Sequence, residues 1–407
     1  MKEQLPAEWN QFILKDVSFV NLMMRRIYNV LIVANPYDAF MLEDDGRVEE
    51  KIYNEYMELG LRYPPTFTQV STIQEAESVL ATVDIDLVIC MPGNADNDAF
   101  DVARAIKAKF SDIHCVVLTP FSYGITKRMA HENLSIFDYV FCWLGNTNLI
   151  LSIIKLMEDH MNLEHDIEEA GVQMILLVED SIRFYSSILP NLYTYILKQS
   201  QNFATEALNK HAATMRMRGR PKVVLARTYD EAWDIYMRFK DHCLGVISDV
   251  RYPIHPTEGK DRPSPLGDES PMDPEAGLKL LRAIRKEDEY VPLILESSEL
   301  ENREKAKAEH FHFVDKNSKK MGLDLYRLLE RHMGFGDFIF RDPKTYAEIM
   351  RVRNLKELQD NIFKIPNESM LYHVSRNHMS RWLCARAIFP VSEFLKNITW
   401  HKLPDVD

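Results

Sequence analysis

The sequence predicts an α/β protein with two doubly wound parallel sheets and an α-helical C-terminal extension. Two short apolar runs, at residues 29–34 and 174–180, each end in polar residues and lead into an amphipathic stretch, as buried parallel strands do. After each run, helical and apolar segments alternate in the same order, which indicates βαβ units. The length of 407 residues also favours two domains over one.

A residue-level repeat supports this duplication. Residues 70–76 match residues 226–232, and each segment leads from a second strand into a second helix with a threonine cap and an early glutamate. The other strands are expected in pairs: residues 86–89 and 244–247 as third strands, 114–119 and 291–297 as fourth, and 137–141 and 311–315 as fifth.

Domain limits are expected where the pattern breaks. We predict a helical lead-in over residues 1–27, a first α/β domain over 28–163, a second over 171–335, and a helical extension over 343–407. From Pro343 onward the periodicity is helical only.

Charge and cysteine content exclude several classes of protein. The net charge of -12 argues against a protein that coats nucleic acid, and the basic run at residues 215–222, with Arg216, Arg218 and Arg220, is expected to be a solvated loop before a strand. The five cysteines are scattered and mostly lie in apolar runs, so we expect buried thiols in a reducing, cytoplasmic setting. No uninterrupted apolar stretch reaches 18 residues, so no membrane association is expected.

Polar residues end four strands of the second domain. Glu179 and Asp180 end the first strand, Asp249 the third and Ser297 the fourth, and Lys316 follows the fifth. The carboxyl ends of parallel strands meet at one edge, so these side chains should converge. Three crowded carboxylates repel one another unless a divalent cation lies between them, and oxygen ligands suit Mg²⁺. The lysine and hydroxyl could then hold a phosphoryl group that Asp249 attacks.

These motifs resemble those of bacterial response-regulator receiver domains, over about residues 173–332, with a weaker copy over 28–161. The matching stretches are Leu-Leu-Val-Glu179-Asp180-Ser, Val-Ile-Ser-Asp249-Val-Arg-Tyr-Pro253, the helix from Gly277 to Arg285, Ser297 and Lys316. The resemblance implies two flavodoxin-like (βα)5 folds. It further implies that Glu179, Asp180, Asp249 and the backbone carbonyl of Arg251 bind Mg²⁺, that Asp249 is the phosphoacceptor, that Ser297 and Lys316 hold the phosphoryl group, and that Phe313 is the aromatic switch.

The implied function is that of a response regulator. A sensor histidine kinase or phosphotransfer protein would supply the phosphoryl group, and the first domain and C-terminal helices would relay the signal. Self-phosphorylation would be the chain's only chemistry, so it is not expected to be an enzyme. Two features depart from the family: a proline-rich loop at residues 254–273 that is unusually long, and an acid, Glu296, at a position that is normally apolar.

The first domain lacks the same residues. Ala34 and Asn35 stand at the position of the acidic pair, Met91 or, with a slip of one residue, Cys90 stands at the phosphoacceptor, and Cys142 stands in place of the lysine. Thr119 and the aromatic Tyr139 are retained. We therefore expect a degenerate pseudo-receiver that serves for contacts.

Two alternative functions remain open. The chain could be a receiver-like interaction or homodimerisation module that is never phosphorylated. It could also be the regulatory N-terminal portion of a larger enzyme, because residues 375–386, with Trp382 among basic side chains, loosely resemble the helical segment after paired receivers in Bacteroidetes-type proteins fused to a phosphoenolpyruvate synthase-like region. The same segment could dock a partner or pack on the second domain.

Overall fold

The computed structural model describes residues 19–36, 47–91, 99–120, 137–143, 145–207, 213, 216–255 and 272–397. Two parallel five-stranded sheets flanked by helices dominate this part of the chain, and a mainly helical region follows them. The predicted fold class is confirmed. None of the described helices has the length and apolarity that crossing a membrane requires.

The first sheet has the strand order β2-β1-β3-β4-β5. Its elements are β1 (Asn29–Val33), α1 (Val48–Glu58), β2 (Thr66–Val70), α2 (Ile73–Thr82), β3 (Leu87–Cys90), α3 (Ala99–Lys109), β4 (His114–Pro120), β5 (Tyr139–Trp143) and α4 (Asn148–Ala170). Thr72 caps α2 through a reciprocal pair of hydrogen bonds with Glu75, as the sequence predicted. Gly171 ends α4 in the left-handed conformation that glycine adopts without strain.

The second sheet repeats this order. Its elements are β6 (Met174–Val178), α5 (Ile182–Thr205), β7 (Lys222–Ala226), α6 (Tyr229–Phe239), β8 (Cys243–Asp249), a short antiparallel pair β9 (Tyr252–Pro253) and β10 (Met272–Asp273), α7 (Ala276–Glu287), β11 (Leu293–Ser297), α8 (Glu301–Ala308), β12 (His312–Asp315) and α9 (Met321–His332). The strands lie in the order β7-β6-β8-β11-β12. The pairing of β9 with β10 closes the base of the predicted long loop, of which residues 256–271 lie outside the described part.

A shared layer of helices joins the two sheets. The long helices α4 and α5 pack on each other, α4 also packs on β7, and α5 packs on β5 of the first sheet. One apolar cluster runs through both sheets and includes Ile32, Ile89, Leu177 and Ile247. The two halves therefore share a core, although the predicted domain limits stay a prediction.

Buried charges lie inside this shared layer, where the sequence predicted a solvated loop. Arg220 forms a bidentate pair with Asp159, at 2.6 and 2.9 Å, and Lys222 lies 2.9 Å from Asp166. Both cations are almost fully buried. The solvated-loop prediction for residues 215–222 was wrong at these positions, because α4 supplies carboxylates that neutralise the basic side chains without water.

The described end of the lead-in packs on α4, and the cysteines lie in the interior. The backbone N–H of Met23 donates to Asp166, and that of Arg25 donates to Asn162 at 2.9 Å, so the described end of the lead-in lies along α4. Residues 1–18 lie outside the described part. All five cysteines are buried free thiols, as predicted.

The C-terminal region begins with a hairpin that the sequence analysis missed. The antiparallel strands β13 (Phe338–Arg341) and β14 (Glu348–Val352) precede α10 (Leu355–Asn361), α11 (Asn367–Val374), α12 (His378–Ala385) and α13 (Phe389–Asn397). The prediction of helical periodicity alone from Pro343 was therefore wrong for β14. Four of its five residues keep some exposure, so it gives no strong apolar alternation.

Trp382 packs into the protein, in agreement with one of the two predicted roles for residues 375–386. Its side chain is 2% exposed and donates from Nε1 to the carbonyl of Gly336 at 2.9 Å. Arg381 donates to the carbonyl of Tyr290 at 2.8 Å, which ties the extension to the loop before β11. Backbone carbonyls thus replace water as hydrogen-bond partners of the buried indole and the buried guanidinium.

Candidate functional site

A cluster of three carboxylates lies at the carboxyl edge of the second sheet. Glu179 and Asp180 follow β6 directly, and Asp249 is the last residue of β8 beside it. One carboxylate oxygen from each residue can be chosen so that all three lie within 4.8 Å of one another. The structure thus brings together the three acids that the sequence predicted as metal ligands.

Lys316 lies among these acids. Its Nζ contacts Asp249 Oδ1 at 2.8 Å and also bonds to Oε2 of Glu179, and its side chain is 2% exposed. The ammonium also lies 4.4 Å from the centroid of the Phe184 ring, on α5, which is a favourable distance for a cation–π contact. Phe184 could not be identified from the sequence, because an aromatic residue in the first turn of a buried helix carries no distinctive signal.

Burial dominates the electrostatics of the cluster. Burial raises the pKa of Glu179 to about 8, with Asp249 adding to the effect and Lys316 opposing it. Burial and the charge of Asp249 raise the pKa of Asp180 to about 6. Burial alone would lower the pKa of Lys316, but Glu179, Asp249 and Glu296 together raise it above its usual value. The cluster therefore carries more negative charge than one lysine balances.

This donor set fits a divalent cation such as Mg²⁺. Carboxylate oxygens are the ligands that Mg²⁺ prefers, and the raised pKa values of Glu179 and Asp180 mark a site where added positive charge is favourable. Arg251, whose backbone carbonyl was predicted as a further ligand, lies exposed between β8 and β9, and its charge acts on Asp180.

Gly277 allows α7 to approach the acidic residue at the end of β8. Its N–H donates to the carbonyl of Val250 at 2.9 Å. A Cβ at this position would lie only 1.9 Å from the backbone oxygen of Asp249, so a larger residue would displace the backbone that carries the carboxylate.

Ser297 lies at the end of β11, next to Lys316 in the backbone pairing. The N–H of Lys316 donates to the carbonyl of Ser297 at 2.9 Å. The Ser297 hydroxyl accepts bonds from the backbone N–H of Glu299 at 3.0 Å and from Asn302 Nδ2 at 2.9 Å. These two bonds use its acceptor capacity and leave the O–H available as a donor.

Phe313 is half-buried and lines a cavity outside the carboxylate cluster. The Arg303 guanidinium lies over its ring, 5.4 Å from the centroid. The cavity has a volume of about 500 Å³, and its lining includes three arginines and two acids, Arg303, Arg327, Arg331, Asp315 and Asp324. The predicted switch residue is thus positioned where a change of side-chain conformation would alter a charged cavity.

Glu296 is a fourth carboxyl at this edge. It pairs with Asp249 in the backbone register of β11 and β8, it is fully buried, and among the described residues neither of its oxygens has a hydrogen-bond partner. Burial raises its pKa to about 7. The sequence marked this residue as unusual, and the structure shows that its side chain is enclosed.

At the corresponding edge of the first sheet, the described residues at the strand ends include no such acids. Val33 pairs with Cys90 as Val178 pairs with Ser248, so Met91 is the counterpart of Asp249. This register agrees with the prediction for Met91 and excludes the slip to Cys90. Thr119 pairs with Cys142 as Ser297 pairs with Asp315, so Thr119 keeps its predicted place.

The same register corrects two predicted counterparts by one residue. Trp143, not Cys142, stands opposite the position of Lys316, and Val140, not Tyr139, corresponds to Phe313. Strand β5 carries no polar residue that would have marked its end in the sequence. An indole therefore occupies the place of the ammonium group, and it packs against the shared core.

No protein-family model and no curated protein matches the chain. The response regulator TrrA of Thermotoga maritima, solved in complex with Mg²⁺ and BeF, is 18% identical, with 32% of this chain and 97% of that chain covered and a TM-score of 0.24. A signal receiver domain of an HD domain-containing protein from Pseudomonas fluorescens is 15% identical, with coverages of 35% and 97% and a TM-score of 0.25.

A longer similarity involves a probable two-component system response regulator/GGDEF domain protein. It is 12% identical, with 74% of this chain and 99% of that chain covered and a TM-score of 0.30. Nothing found in these comparisons supports fusion to a phosphoenolpyruvate synthase-like region.

Proposed function

We propose that the chain is a cytoplasmic signalling protein whose second half accepts a phosphoryl group on Asp249. The observation that carries this proposal is the convergence of Glu179, Asp180, Asp249 and Lys316 at one sheet edge. Three acids and one lysine at the ends of strands β6, β8 and β12 form a site for a cation and a phosphoryl group. The receiver-like motifs at these positions support the same chemistry.

Each residue has a distinct part in the reaction. A carboxylate oxygen of Asp249 forms the new P–O bond, while the bond from phosphorus to the donor's leaving group breaks and its electron pair leaves with that group. Glu179, Asp180, Asp249 and the carbonyl of Arg251 would hold Mg²⁺. Bound there, Mg²⁺ supplies positive charge to the carboxylates and to the transferring group.

Lys316 and Ser297 act on the product. Lys316 leaves its carboxylate partners to hold one phosphoryl oxygen, and the hydroxyl of Ser297 donates to another. Phe313, which lines the charged cavity, changes conformation with Ser297 and shifts an existing equilibrium between two states. The phosphoryl donor is a sensor histidine kinase or a phosphotransfer protein.

Packing supports a relay to the first half and to the extension. Helix α5 begins two residues after Asp180, and Ser186 on this helix accepts a hydrogen bond from the backbone N–H of Cys142 at 2.9 Å. Tyr185 donates to the carbonyl of Val140. The first half thus acts as a pseudo-receiver that contacts the helix leading out of the site.

Intact-mass spectrometry after incubation with acetyl phosphate and Mg²⁺ tests the proposal. The wild-type chain should gain about 80 Da, the mass of one phosphoryl group, and Asp249→Asn should gain none. Excess chelator should abolish the gain. Labelling that persists in chelator, or in Asp249→Asn, would refute the assigned mechanism.

A second function is favoured by one observation. Lys316 already bonds to two of the carboxylates, so the site is partly neutralised by the chain itself. An interaction or homodimerisation module that is never phosphorylated would need only this internal pairing. Absence of both the mass gain and beryllofluoride binding would favour that function.

A further inference from the structure

Glu296 differs from every other acid of the site in having no hydrogen-bond partner. Its side chain is fully buried, and neither carboxyl oxygen is bonded to any group in the described part of the chain. A buried polar group without a partner costs free energy that an apolar residue at the same place would avoid. Glu296 therefore destabilises the fold at a position that an apolar side chain normally occupies. This cost indicates that Glu296 has a role in the site.

The strand geometry directs Glu296 toward Lys316. Side chains alternate between the two faces of a sheet, so Glu296 lies on the same face as Ile294, and Lys316 on the same face as Val314. Ile294 and Val314 both belong to the shared core. Asp249, the register partner of Glu296, also lies on that face, since it follows Ile247 by two residues.

Lys316 therefore faces three carboxyl groups, of which two are bonded to it. An ammonium group has three N–H donors, and Glu179 and Asp249 each take one. The charge of Glu296 also acts on Lys316. Glu296 is a carboxyl within electrostatic reach that offers the lysine an alternative partner.

We propose that Glu296 is a positioning residue for Lys316, accepting its ammonium group when Glu179 and Asp249 turn to a divalent cation. This inference rests on the proposed function. While Lys316 stays on Glu179 and Asp249 it competes with a cation for them, so a second partner for the lysine favours cation binding. The same partner then holds the ammonium back from a phosphoryl oxygen, which disfavours the phosphorylated state.

Glu296 is thus expected to favour cation binding and to disfavour the phosphorylated state, and the variant Glu296→Gln tests both effects. A neutral amide accepts a weaker hydrogen bond from an ammonium group than a carboxylate does. We expect the affinity for Mg²⁺, measured by isothermal titration calorimetry, to fall about fivefold. The affinity for beryllofluoride at saturating Mg²⁺ should rise by about the same factor. Glu301→Gln, an exposed acid nearby on α8, should change neither affinity.

The negative charge of Glu296 could also act directly on the bound ions, and the changes in Mg²⁺ and beryllofluoride affinity would then have the same signs. Two further variants distinguish this direct effect from a contact between Glu296 and Lys316. In a Lys316→Met background, Glu296→Gln should have no effect on the Mg²⁺ affinity if Glu296 acts through the lysine. Glu296→Asp keeps the charge but shortens the reach, and it should behave like Glu296→Gln. Circular dichroism establishes that each variant is folded, and Glu296→Asp decides the question if the Lys316→Met protein does not fold.

The outcomes separate this inference from the proposed function. An undiminished effect of Glu296→Gln in the Lys316→Met background, wild-type behaviour of Glu296→Asp, or unchanged affinities in Glu296→Gln would each overturn the positioning role. A wild-type protein that binds Mg²⁺ but no beryllofluoride would refute phosphorylation instead, while the Mg²⁺ titrations would still report on Glu296 and Lys316.

Discussion

Replacing Gly277 by alanine gives a sharp test of how the site is built, because the chain offers a matched control. Gly277 is the second residue of the twelve-residue helix α7, and Gly322 is the second residue of the twelve-residue helix α9. An added Cβ at Gly277 would lie 1.9 Å from the Asp249 carbonyl oxygen, whereas the nearest atom at Gly322, Asn191 Cγ, would be 3.9 Å away.

The helix-propensity contribution is similar in the two variants and cancels in the comparison. Alanine in place of a helical glycine stabilises a protein by about 0.5–1 kcal/mol where the site has room, which is the expectation for Gly322→Ala. Gly277→Ala carries the same gain but must also move the backbone of Asp249, and overpacking of this kind costs about 1–3 kcal/mol. A contact of 1.9 Å with backbone atoms places the cost near the upper end of that range.

Urea unfolding of the two variants measures this difference. We expect Gly277→Ala to be less stable than Gly322→Ala by about 3 kcal/mol. Calorimetry should also show weaker Mg²⁺ binding in Gly277→Ala alone, because the displaced backbone carries the Asp249 carboxylate. Equal free energies of unfolding, within about 0.5 kcal/mol, together with equal Mg²⁺ affinities would refute the reasoning.

Four other predictions concern the buried charges and the extension. Asp159→Ala should lower the free energy of unfolding by about 3–5 kcal/mol in urea titrations, because it leaves a buried guanidinium without its counter-charge. The affinity for Mg²⁺ should increase by up to about tenfold per pH unit between about pH 6 and 8, since Glu179 and Asp180 must release protons to bind it. Both pKa values are raised from their usual values of 4.5 and 3.8, so the cation-free protein should lose stability as the pH rises above about 4, up to about pH 6 for Asp180 and about pH 8 for Glu179, which thermal unfolding would detect. Gly334→Ala should cost about 1–2 kcal/mol and change Trp382 fluorescence, because the φ of +83° is left-handed and the added Cβ would lie 2.8 Å from Trp382 Cα.

The sequence could predict the carboxyl edge of the second sheet because four of its five strands end in, or are directly followed by, a predicted site residue; only β7, which ends in Ala226, is not. Asp249 and Lys316 mark their strand ends, so a reading of the sequence places them correctly at one edge. Strand β5 has no such marker, and the prediction for its end was displaced from Trp143 to Cys142. The register between β4 and β5 cannot be predicted from the residues of β5 alone, and it identifies Trp143 as the counterpart of Lys316.

The sequence could not predict which buried charges form ion pairs, for a different reason. Arg220 and Asp159 are 61 residues apart, and each reads as an ordinary surface residue until both are buried in the same helical layer. A basic run of this kind is more often solvated, so only the packing of α4 identifies its partner. The orphaned state of Glu296 is likewise a property of its surroundings.

The described strand ends of the first sheet lack acids, and a comparison with the second sheet gives a physical reason. Helix α5 starts directly after the acidic pair, and its residues Tyr185 and Ser186 bond to the backbone of β5. Strand β5 ends in Trp143, which packs against the shared core where the second sheet has a charged lysine. An ammonium group at that place would need a carboxylate partner, and Met91 offers none. Under the proposed function, the bonds of Tyr185 and Ser186 to β5 would carry a displacement of Asp180 to the first half.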